Sequence, residues 1–149
     1  MVDILTRVRA REKELQEKAI TKWVSFRGVF DIEIKYVSRL QFQKAMDGCK
    51  KVVWTQKHER AEELNDEKVK DFLKDCIVSW EGLTVEKFAK ELFPIAYSSK
   101  EANQPIPCDE DAKEAVLEHV YGIVNFLITE ILSLANVEEK ETEAQIKNS

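Results

Sequence analysis

Phe30, Ile32, Ile34 and Tyr36 alternate with Asp31, Glu33 and Lys35. A strict period of two puts one set on each face of an extended chain, the mark of a half-buried strand. The preceding Trp23-Val24-Ser25-Phe26-Arg27-Gly28 offers an antiparallel partner, with a turn near Arg27-Gly28. A lone hairpin is marginal in water, so a hairpin over 23–37 has to pack on helices or pair with another chain.

The rest of the chain reads as helical. Asp3 can cap a helix over 3–22, whose middle is dense in charge and therefore exposed or docked on a partner. Ser38 caps a helix from Arg39 to about Lys57, with Leu40, Phe42, Ala45, Met46, Cys49, Val52, Val53 and Trp54 as its apolar face and Gly48 as a weak point. Residues 55–68 are polar and continue that helix or form a loop. Asn65 or Asp66 starts the next helix, in which Val69, Phe72, Leu73, Cys76, Ile77 and Trp80 fall at steps of three and four, with Gly82 as its stop. Thr84 caps a short helix over 85–92 that ends at Phe93-Pro94, and the proline-bearing stretch 95–108 is a loop.

Asp109 caps the last helical region, where Glu110 and Asp111 suit the positive helix end and Gly122 is a breaking point. From Ile123 to Ala135 the chain is apolar nearly all round, which places it in the core or in an oligomer interface. The charged tail 137–149 is expected to be disordered. The predicted fold is therefore mainly α: one helical domain over 1–136, of about five helices, with one short β-hairpin near the N-terminus. Four Gly and three Pro in 149 residues argue against a turn-rich β-sandwich or barrel.

Charge is unevenly spread. Residues 1–60 hold fourteen Lys/Arg and eight Asp/Glu, and residues 61–149 hold nine and twenty. Such asymmetry can steer a partner or orient self-assembly, although two solvated faces that differ in sign are the plainer explanation. Three widely spaced cysteines and no CxxC argue against a disulfide framework and for a reducing cytosol. The N-terminus lacks the pattern of a signal peptide, and 123–135 is too short and too polar to span a bilayer, so no membrane association is expected.

Catalytic chemistry finds no motif. His58 and His119 lie far apart, no zinc or calcium spacing occurs, and the glycines are isolated. No metal, cofactor or catalytic residue is therefore expected. Cys49 and Cys76 lie on apolar helix faces as small hydrophobes, whereas Cys108 precedes a helix N-terminus that can lower its pKa. An enzyme would need a site assembled only in three dimensions, joining Cys108 or His119 to acids. Arg7, Arg9, Arg11 and Lys13 make a basic run, but Glu12, Glu14 and Glu17 dilute it, and nucleic-acid binding is not expected. Trp80 continues the apolar stripe of its helix. Trp23 and Trp54 flank polar stretches, where core-edge packing competes with a role as interface anchors.

The stretch Cys76-Ile-Val-Ser-Trp80-Glu-Gly82-Leu83-Thr84 resembles the V-x-W-x-G-L segment of small tail assembly chaperones encoded in tailed-phage and prophage morphogenesis modules. Ile106–Ala112, Val116-Leu117 and Ile123–Ile128 look like that family's capping loop, short helix and apolar terminal helix. Phe30–Arg39 looks like the single strand before its helical body. The resemblance covers roughly 29–136, and helix 3–22 has no counterpart in it.

The resemblance implies a non-enzymatic protein of the bacterial cytoplasm that holds tail components, chiefly the tape measure protein, and that forms homo-oligomers. Such a task needs exposed apolar surface with charged rims. The residues it singles out are Trp23, Phe26, Trp54, Ile123, Phe126, Leu127, Ile131 and Leu134. The alternative is a structural tail or neck protein built into the virion.

Overall fold

The structure, a computed structural model, describes residues 3–17 and 20–147. Residues 18–19 of the expected first helix and 148–149 of the expected tail lie outside the described residues, and Thr21 and Lys22, expected at the end of that helix, belong to a strand instead. In chain order the elements are α1 (Ile4–Glu17), β1 (Thr21–Phe26), β2 (Phe30–Lys35), α2 (Arg39–Gly48), β3 (Lys50–Trp54) and β4 (Arg60–Leu64). They continue with α3 (Asp66–Cys76), β5 (Ile77–Glu81), α4 (Val85–Lys87, running into a π-helical turn at Phe88–Leu92), α5 (Glu110–His119) and α6 (Ile123–Lys147). Helix makes up 51% and strand 22%, and the strands form two antiparallel sheets, which overturns the expectation of a mainly α domain with one hairpin.

The larger sheet has the order β1-β2-β5. Its first hairpin turns through Arg27 and Gly28, both at positive φ, and sets Val24 opposite Ile32 and Phe26 opposite Phe30. One face buries Val24, Phe26, Phe30, Ile32, Ile34, Ile77 and Trp80. The other is polar, and there Glu33 of the central strand accepts hydrogen bonds from Thr21 Oγ1 at 2.8 Å and Ser79 Oγ at 3.1 Å, spanning all three strands.

Two corrections to the sequence reading concern strands. The stripe ending in Ile77 and Trp80 was expected to be one helix, but α3 stops at Cys76 and β5 pairs antiparallel with β2. Trp80 lies opposite Ile32 and Ile77 opposite Ile34, with a register shift between Glu33 and Ile34. The extra residue of that bulge puts Ile77 and Trp80 on the same face although they are three apart, so this strand mimics a helical spacing. The helix expected over 39–57 ends at Gly48, and a second hairpin, β3–β4, follows. Its loop runs through Gln56-Lys57-His58 with His58 at φ 59, and it contains none of the Gly, Pro, Asn or Asp residues that announce a turn.

The helices cover the apolar face of the sheet. Ile123, Leu127, Ile131 and Leu134 make a buried seam along α6, Val69, Leu73 and Cys76 one along α3, and α5 contributes Val116 and Leu117. A chain of edge-to-face rings links sheet to helix. Trp80 meets Phe30 at 6.0 Å, Phe30 meets Phe26 at 6.0 Å, and Phe26 meets Phe126 of α6 at 5.1 Å. The expected caps are in place at Ser38, Asn65, Thr84 and Asp109, each accepting a hydrogen bond from a backbone N–H of the first turn. Gly122, at φ 82, sits between α5 and α6, whose axes are bent by 107°. The segment from 137, expected to be disordered, continues α6 as far as Lys147.

Candidate interaction surface

Of the eight residues expected to bind a partner, most serve the chain's own core. Phe26, Ile123, Leu127, Ile131 and Leu134 are buried, and Phe126 is half-buried against Phe26. The apolar run 123–135 needs no oligomer to cover these residues, because the sheet and α2, α3 and α5 already do so. Only Trp23 and Trp54 are exposed, on different sheets.

Exposed apolar side chains gather in two places; Trp54 and the first helix were expected to be exposed, whereas Val52 was expected on a helix's apolar face and Leu64 was not singled out. On the second hairpin, Lys50, Val52 and Trp54 of β3 lie opposite Leu64, Glu62 and Arg60 of β4. Alternation puts these six side chains on one face, and all six are exposed. Trp54 is 70% exposed, Val52 48% and Leu64 47%. The opposite face carries Lys51, Val53, Ala61 and Glu63, with Val53 and Ala61 half-buried. Two short-range cues pointed here: a β-branched pair before a tryptophan, and the glycine that ends α2. A shallow, open depression lies between the end of α2 and this hairpin, lined by Asp47, Lys50, Lys51, Val52 and Glu62. Asp47 accepts an ion pair from Lys50 at 3.1 Å, and that hydrogen bond holds the ammonium above its ordinary pKa.

The second cluster is on α1, where Ile4, Leu5 and Val8 are exposed. Asp3 opens this helix by accepting hydrogen bonds from Thr6 Oγ1 at 2.6 Å and from the Thr6 N–H at 3.1 Å, and these lower its pKa. Arg11 and Glu12 of α1, with Glu138 and Glu139 of α6, act on the phenol of Tyr36. Burial first, and then the three carboxylates, push its pKa up. Lys22 pairs with Glu130 at 3.6 Å and Arg39 with Glu139 at 3.4 Å. Part of the charge asymmetry between the two ends of the chain is thus met within the molecule.

The chemistry-bearing residues do not assemble. His119 is exposed and its ring lies 4.9 Å from that of Phe93, while His58 sits in the second hairpin's loop. Burial raises the pKa of the Cys108 thiol, the direction opposite to that expected from the following helix. Burial also raises Cys49 and pushes Cys76 up to about 12. Among the described residues, no three His, Cys, Asp or Glu side chains converge as metal ligands, and no single helix is long and apolar enough to cross a membrane.

The segment that carries the family resemblance has structural work in this fold. Trp80 is buried and donates from Nε1 to the Ile106 carbonyl at 2.7 Å, Gly82 takes φ 82, and Leu83 is buried. The strand over 30–35 is the middle of a three-stranded sheet, not a single strand before a helical body. No family model matches the chain, and neither a curated protein nor a solved structure is significantly similar to it.

Proposed function

We propose that this chain is a non-enzymatic binding protein, a phage or prophage tail assembly chaperone that holds the tape measure protein in the bacterial cytoplasm before the tail tube forms. The family resemblance suggests the client. The observation that supports a binding role is the exposed face of the second hairpin, where Val52, Trp54 and Leu64 stand among Lys50, Arg60 and Glu62. Apolar anchors ringed by charge suit an amphipathic client helix. Its apolar side would cover the tryptophan, at a gain of about 25 cal/mol per Å² of apolar surface, and its polar side would meet the rim.

The test is co-expression with the tape measure protein of the same gene neighbourhood, followed by pull-down and size exclusion. The client stays soluble and co-elutes with the wild-type chain. Trp54→Ala lowers its recovery about tenfold, as for an anchor residue, without shifting the melting temperature of the chain alone. A client that precipitates regardless, while this chain elutes by itself, overturns the proposal. Retention of the chain in finished virions would identify the structural tail or neck protein instead.

A further inference from the structure

The second hairpin has a face and also two edges, and the edges differ. The Asn65 N–H donates to the Cys49 carbonyl at 2.6 Å and the Thr55 N–H donates to the Glu59 carbonyl at 3.0 Å. Both pairs continue the β3–β4 register, in which Lys50 faces Leu64 and Trp54 faces Arg60. Hydrogen-bonded pairs recur every second residue in an antiparallel ladder, so Lys51 and Val53 bond inward to β4. The N–H and C=O groups of Lys50, Val52 and Trp54 therefore point outward on β3, as do those of Arg60, Glu62 and Leu64 on β4. Among the described residues no other strand pairs with either edge.

We propose that the β3 edge pairs with the β3 edge of a second copy of this chain, antiparallel about a two-fold axis at Val52. The arithmetic of the register selects this edge. With Val52 on the axis, Lys50 lies opposite the partner copy's Trp54 and Lys51 opposite its Val53. All five residues of β3 then find a partner, no like charges face each other, and each lysine lies against an apolar side chain, one of them an indole that attracts cations. A shift that centres Lys51 sets lysine against lysine. The same operation on β4 centres Glu62 on Glu62, which is repulsive. With all five strand residues paired, the β3 edge is thus self-complementary in charge and the β4 edge is not; a shift of β4 onto Ala61 sets Arg60 against Glu62 but brings Glu59 against Glu63. Pairing in the plane of the sheet leaves the Trp54 face open, so the product is a four-stranded sheet that presents two tryptophan faces side by side. This inference does not depend on the identity of any client.

Sedimentation equilibrium of the full chain over a wide concentration range tests the pairing, with circular dichroism as the folding control. The wild type forms a reversible dimer. Val52→Pro removes an outward N–H from each copy while keeping every β3–β4 hydrogen bond, and it weakens dimerisation at least about tenfold. Val52→Lys keeps the backbone donor and places like charges on the axis. It gives the same loss, and it carries the test if the proline variant does not fold. Glu62→Pro makes the equivalent change on the β4 edge and leaves the dimer intact. A wild type that stays monomeric throughout overturns the proposal, as does a dimer that resists both Val52 variants or yields equally to Glu62→Pro.

Discussion

Gly122, between α5 and α6, takes φ 82, and a Cβ built there would stand 3.1 Å from Arg27 Nη2. That guanidinium cannot retreat freely, because it donates to the Tyr121 carbonyl at 2.8 Å and lies over the Phe26 ring at 4.8 Å. Two residues at positive φ, Arg27 in the first hairpin and Gly122 between the last helices, thus meet where the sheet edge meets α6. Gly122→Ala adds left-handed backbone strain of about 1–2 kcal/mol to that crowding. A drop in melting temperature of several degrees is expected in a thermal unfolding scan, and an unchanged midpoint would show that the turn relaxes without cost.

At the scale of elements, helix starts were legible because they are local. A capping residue and the backbone N–H that donates to it lie within four positions of each other, and Ser38 and Gln41 satisfy each other's backbone reciprocally, at 3.1 and 3.2 Å. Ser38→Ala is expected to cost about 1 kcal/mol, read as a lower urea midpoint at unchanged slope. The first hairpin was legible from its alternation. The other strands were not, because their causes are not local. β5 keeps a helix-like spacing through its bulge and is defined by β2, since Glu81 lies opposite Asp31 across fifty positions of sequence. β4 has almost no apolar pattern, since Ala61 is its one half-buried residue. The candidate surface was half legible: Trp23 and Trp54 are exposed, but the long apolar run of α6 had to be the core once three strands needed a cover.

The whole molecule carries an alkaline liability. Burial holds the Cys76 thiol at about 12, against an ordinary 9.0 in the unfolded chain. A folded pKa above the unfolded one means that stability is fully present below about 9 and is lost as pH rises towards 12. The slope approaches about 1.4 kcal/mol per pH unit within that window. Cys49, Cys108 and Tyr36 are shifted in the same direction. Urea titrations at pH 8, 9 and 10 should show this fall, and Cys76→Ala should flatten it. An equally steep fall in the variant would assign the effect to other groups.

The second hairpin stands apart from this economy of the core. Its base is closed by the hydrogen bond between Asn65 and Cys49, so the chain leaves and re-enters the body at one point. Loop-closure entropy changes slowly with length, and a segment inserted between adjacent ends can therefore grow, shrink or be exchanged while the body folds as before. In descendants of this chain the two parts can drift at different rates. The body is held by the shapes of its own side chains, and the hairpin, on the pairing proposed above, by the surface of a second copy.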